Sequence, residues 1–154
     1  MPVGPNLPYG YTIFCEDIRE EVGGKRSLMG VYSGDMVFQG QAPGIIPSFV
    51  AQINWLCGRD SFPSTIEFVL YKDTDDRRES LFAAKIDSEN LPPLPAPTPD
   101  KHDPDAPAVA SFQFQARFSN LEFDGPCRLR VRALVDGVEH RIGAIAVGFG
   151  MPVT

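Results

Sequence analysis

Apolar and polar residues alternate most regularly over residues 127–147, CRLRVRALVDGVEHRIGAIAV. The pattern predicts two strands joined by a two-residue turn at Asp136-Gly137. Asp-Gly between alternating runs is a strong hairpin signal, because both turn residues must accept positive φ. A two-residue turn pairs Val135 with Val138, and the register runs outward from there. It places Ala133 opposite His140, Val131 opposite Ile142 and Leu129 opposite Ala144 on an inner, apolar face. The other face pairs Leu134 with Glu139, Arg132 with Arg141, Arg130 with Gly143 and Arg128 with Ile145. Slipping by one residue would drive arginines into the core, so the register is well specified.

The same period recurs along the chain. Residues 9–15 read as a first strand. Residues 16–32 read as a hairpin turning at Gly23-Gly24, with a short helix over 16–22 as the competing reading. The hairpin is favoured because the glycines follow at once. Ser33-Gly34-Asp35 kinks the chain before a short strand at Met36-Val37-Phe38. Phe49, Ala51, Ile53, Trp55 and Cys57 alternate with Val50, Gln52 and Asn54. Both faces are fairly apolar, which predicts a central strand. Further strands are expected near 66–71, 81–86 and 108–118. The sum is an all-β chain: a single antiparallel β-sandwich, immunoglobulin-like or related, of eight or nine strands spanning residues 1–154.

Residues 87–107 break the pattern. Seven of the chain's 15 prolines lie here, and proline supplies no ladder donor. The segment therefore reads as an extended, exposed loop. Asp87, Glu89, Asp100, Asp103 and Asp105 against Lys101 give it a net charge of -4, out of -6 for the whole chain.

That acidic balance disfavours nucleic acid as a partner. No apolar run approaches the ~20 residues of a membrane span, and residues 1–10 show no secretory leader. Cys15, Cys57 and Cys127 are odd in number and widely spaced, with no C-x-x-C. They read as reduced, buried thiols of a cytoplasmic protein.

Familiar catalytic signatures are missing, and the two histidines, His102 and His140, leave little material for acid–base or metal chemistry. No catalytic residue, cofactor or resident metal is expected. His140 reads as a half-buried, hydrogen-bonded side chain. Asp73, Asp75 and Asp76 in one loop, and Asp100, Asp103 and Asp105 in another, are the only ligand sets that suit calcium. Arg77, Arg78 and Lys72 flank the first, and no EF-hand spacing accompanies them. Glu16 and Asp17 point to opposite faces of a strand and do not form a close pair.

The outer face of the last hairpin carries the remaining candidate chemistry: Arg128, Arg130, Arg132 and Arg141. Arg132 opposite Arg141 is unfavourable without a negative group nearby. Carboxylates of a neighbouring strand, or solvent, would satisfy it. The alternative is a shallow surface for an anionic ligand or partner, for which the guanidinium fork is suited.

The stretch Phe14-Cys15-Glu16-Asp17-Ile18-Arg19, followed by Gly23-Gly24-Lys25 and Gly30-Val31-Tyr32, resembles the opening of a family of small uncharacterised bacterial proteins. The resemblance implies a bacterial or bacteriophage origin and a sandwich-like fold, and no activity. A weaker likeness is to immunoglobulin-like sandwiches. It is carried by Trp55 near Cys57 and by Leu121, Phe123, Pro126, Leu129 and Val131, with Cys127 where a corner tyrosine would stand. Three functions are weighed. The first is a non-enzymatic module for protein–protein contact, self-association or phage-particle assembly. The second is a binder of anionic small molecules. The third is a calcium-dependent module or enzyme using loop carboxylates.

Overall fold

Alternating apolar positions become two facing sheets. The structure, a computed structural model, describes residues 6–96 and 98–150. Readings that fall on residues 1–5, on Pro97 or on residues 151–154 lie outside the described residues. The strands are β1 (Tyr9–Cys15), β2 (Asp17–Glu20), β3 (Arg26–Met29), β4 (Met36–Gln39), β5 (Gly44–Gly58), β6 (Thr65–Asp73), β7 (Arg78–Asp87), β8 (Val109–Phe123), β9 (Cys127–Val135) and β10 (Val138–Gly150). Helical structure among the described residues is limited to single 3₁₀ turns at Arg59–Ser61 and Ser88–Asn90.

One sheet has the order β1-β5-β8 and the other β4-β10-β9-β6-β7. The described residues form ten strands, and the chain is thus all-β and sandwich-like, with one correction to a purely antiparallel architecture. The larger sheet is mixed, because β4 runs parallel to β10.

The core lies between the sheets. Phe49, Ile53 and Trp55 of β5 face Phe68 and Leu70 of β6 and Leu129 and Val131 of β9, all fully buried. His140 packs edge-on against the Trp55 ring, with centroids 4.9 Å apart. Thr12 Oγ1 of β1 donates to the carbonyl of Ile142 in β10 at 3.1 Å, joining the two sheets along one side.

Residues 17–29 form the hairpin rather than the helix, with Asp17 opposite Met29 and Glu20 opposite Arg26. Gly23 and Gly24 both take positive φ, 84° and 74°. The turn is wider than two residues, and Val22 stands out in solvent instead of continuing the strand. The hairpin covers the outer face of the smaller sheet. Ile18 and Leu28 pack on Cys15 and Val50, which is why both faces of β5 are apolar there. Arg117 of β8 holds the hairpin in place, donating to the Ile18 carbonyl at 2.8 Å and to Asp17 at 3.2 Å.

The β9–β10 hairpin follows the expected register from Val135–Val138 to Arg132–Arg141. It then departs. A bulge at Ile142 shifts the pairing, so that Gly143 faces Val131, Ala144 faces Arg130, Ile145 faces Leu129 and Ala146 faces Arg128. Strict alternation from Ile142 would turn Ala144 and Ala146 inward and put Ile145 and Val147 in solvent. The extra residue lets Ile142, Ile145 and Val147 all reach the core. Burial of two further β-branched side chains, Ile145 and Val147, outweighs one interrupted ladder step.

Candidate surface site on the larger sheet

Leu129, Val131 and Ala133 enter the core, so Arg128, Arg130 and Arg132 project from the opposite face of β9. Arg141 joins them as the cross-strand partner of Arg132. The four arginines therefore share one face, but their surroundings differ.

Arg128 is exposed at the rim of an open pocket of about 340 Å³, which Asp73, Thr74, Cys127 and Arg130 also line. Burial raises the Cys127 thiol above its ordinary pKa, so that side chain is a poor nucleophile. Arg130 is half-buried and donates to Asp73 Oδ2 at 2.7 Å. Asp73 is the organising carboxylate of the site. Its side chain is 8% exposed, and Arg78 grips it with two hydrogen bonds of 2.7 and 2.8 Å. The Arg78 hydrogen bond, opposed by burial and reinforced by Arg130, holds the Asp73 carboxyl below the usual carboxylate range. Arg78 in turn lies 4.4 Å over the Tyr71 ring.

Arg132 departs from the exposed position the alternation predicts. It is only 8% exposed, set between Val69 of β6 and Arg141 of β10. Among the described residues its guanidinium makes one hydrogen bond, from Nη1 to the Val131 carbonyl at 3.1 Å. The nearest carboxylate among the described residues is Glu139, 3.8 Å from Nε and itself more than half exposed. Burial lowers the Arg132 pKa; Glu139 opposes that shift, while Arg141, Arg78 and Arg130 add to it. Arg141 is exposed.

The loop carboxylates do not converge. Both oxygens of Asp73 are engaged by arginines. Asp100 Oδ1 accepts from the backbone N–H groups of His102 and Asp103, at 2.9 and 3.1 Å, and so shapes its own loop. Among the described residues no group of three or more His, Cys, Asp or Glu side chains is arranged to hold a metal ion. Glu16 lies against Gly30, whereas Asp17 turns to Arg117.

Sequence reasoning missed two parts of this arrangement. Asp73 reads along the chain as a loop residue among other aspartates. Only the β6–β9 register, with Asp73 opposite Arg128 and Tyr71 opposite Arg130, brings it to the arginine face. Asp136 reads as a turn residue and does take positive φ, 47°. Its carboxylate also accepts from the N–H groups of Ser64 and Thr65, both at 2.9 Å, tying the hairpin tip to the start of β6.

Comparison with protein-family models, curated proteins and solved structures finds no match to this chain.

Proposed function

We propose that the chain is a non-enzymatic β-sandwich module that acts through protein–protein contact, with a second copy of itself as the partner. The observation that carries this reading is charge segregation. Arg128, Arg130, Arg132 and Arg141 gather on one sheet face of a chain whose net charge is -6. The acidic, proline-rich segment 87–107 holds most of that negative charge and emerges between β7 and β8. Its described acidic residues are mostly exposed. Docking the acidic segment of one copy on the arginine face of another pairs opposite potentials, which fixes orientation and speeds encounter.

The immunoglobulin-like character of the sandwich belongs to this proposal. The buried Trp55 at its centre supports it. A bacterial or phage source, with assembly into a larger particle, is the setting that the resemblance of residues 14–32 supports. The cytoplasmic reading rests on Cys15, Cys57 and Cys127, all buried and unbridged, as thiols are in a reducing compartment. No helix of the described residues is long and apolar enough to cross a membrane.

Sedimentation equilibrium over a wide concentration range tests the reading. A mass above 16.9 kDa that falls with added salt, and falls again when Asp100, Asp103 and Asp105 become Asn, is the expected result. A monomer at every concentration and salt would overturn it.

A further inference from the structure

Buried charges in folded proteins are paired and hydrogen-bonded, because desolvating an ion without a partner is costly. Arg132 departs from that rule. Its guanidinium offers five N–H donors, of which one meets a carbonyl. The chain then sets a second cation, Arg141, directly across the strand pair and a third, Arg130, two residues along β9. Asp73 does not neutralise the group, since Arg78 and Arg130 already occupy both of its oxygens. Glu139, at 3.8 Å and mostly in solvent, lies beyond hydrogen-bond distance.

We infer that Arg132 and Arg141, with Arg130 beside them, form a binding site for an oxyanion, a phosphate or carboxylate group. Such a ligand supplies, in place of water, the acceptors that the described residues do not offer to the other guanidinium nitrogens, which still touch solvent. It relieves the Arg132–Arg141 repulsion and suits the planar fork of both side chains. Glu139 then acts as a loose lid on the site, a screened substitute that the ligand displaces. The anion has two sources of shared chemistry: a free phosphate-type molecule, or an aspartate side chain from the acidic segment of another copy. The second source rests on the self-association reading; the site itself is read from one protomer.

The test titrates inorganic phosphate into the full chain at fixed ionic strength, balanced with chloride, and follows thermal unfolding. The wild type is expected to show a saturable rise in midpoint. Arg141→Gln, an exposed position, is expected to weaken the phosphate dependence about tenfold or more, which is what losing one charge-assisted hydrogen bond amounts to. Arg132→Met is expected to abolish it, and Glu139→Gln to strengthen it. Phosphate also stabilises proteins generally by exclusion from their surface. An equal rise in all four proteins would show that effect alone and overturn the site.

A synthetic peptide of residues 98–107 distinguishes the sources. Binding of peptide but not phosphate, lost in Arg141→Gln, assigns the site to a neighbour's carboxylate. Binding of phosphate alone assigns it to a free anion. Binding of neither overturns the inference. Self-association that persists unchanged in Arg141→Gln overturns the neighbour's carboxylate as the source of the anion while leaving the assembly reading standing.

Discussion

Gly10 and Trp55 are direct partners across the β1–β5 ladder, and the glycine leaves no room for a side chain. A Cβ at Gly10 would stand 2.8 Å from the Trp55 ring and 2.7 Å from the Ile142 side chain. The absent methyl is what lets the largest core residue lie flat beneath β1 while β10 closes from the other sheet.

Gly10→Ala therefore overpacks the site where three strands meet. Neither the Trp55 ring nor the nearby Asn54 carbonyl, 3.0 Å from the added carbon, has a free direction in which to retreat. A loss of about 1–3 kcal/mol is expected, read as a lower urea midpoint with unchanged slope. Stability equal to wild type would show that β1 shifts freely.

Asp73 supplies a pH-dependent contribution to stability. Its folded pKa is lowered, chiefly by Arg78. The contribution is thus fully present above the unfolded value, about 3.9, and is lost as pH falls through the folded value. Asp73→Asn should lower stability at pH 7 by about 1.5–3 kcal/mol, as expected for hydrogen bonds to charged groups. The gap between the two proteins should be constant above about pH 5 and narrow in more acidic solution. Parallel denaturation curves from pH 7 to pH 3 check this; a gap that widens on acidification would contradict it.

Arg132 predicts the opposite sign. Replacing a buried, poorly paired charge with a well-fitting apolar chain is often neutral or stabilising, by about 1–4 kcal/mol. Arg132→Met should unfold at the same denaturant concentration as wild type or a higher one. A marked loss would mean that the guanidinium is better satisfied than its single hydrogen bond indicates.

Asp136 separates a turn residue from a tie. Asp136→Asn keeps both the acceptor oxygen and tolerance of positive φ, and should cost little. Asp136→Gly keeps only the backbone freedom. Asp136→Ala loses both, and should be the least stable of the three, by about 2 kcal/mol or more against wild type. Chemical denaturation ranks them. Equal losses for Gly and Ala would assign the whole effect to the missing carboxylate.

The three thiols give a reading of global opening. Cys15, Cys57 and Cys127 are all buried, and burial is the largest cause raising each pKa. A thiol-reactive dye at pH 8 should modify none of them quickly in the native protein and all three together on unfolding. Rapid labelling of Cys127 alone would mean that the dye reaches it through the pocket it lines, without global unfolding.

Much of this architecture is legible from the sequence, because alternation reports directly which side of a strand faces the core. Phe49 to Cys57, Leu129 to Ala133 and the Asp136-Gly137 turn fall where their periodicity puts them. The Ile142 bulge leaves no such trace. A local rule counts by twos, whereas the chain breaks the count to bury Ile145 and Val147, a tertiary gain with no local marker. The burial of Arg132 is hidden from the pattern for a related reason. Pattern assigns a face, but how deeply a side chain sinks into that face depends on neighbours such as Val69, which faces it from β6. Asp73 required a pairing between strands 57 residues apart, and nothing along the chain announces which strand lies beside which.

The hydrogen bond from Thr12 to Ile142 spans 130 residues, and this fixes an order of events on the ribosome. At about 5–20 residues per second, β1 waits roughly ten seconds for the strand that completes its side of the molecule. Throughout that interval the Trp55 face of β5 lacks the strand that carries His140 and Ile142, and the sheet that opposes it is incomplete. The nascent chain must be kept from associating through that surface until β10 emerges, and it is there that synthesis at high concentration is most exposed to aggregation.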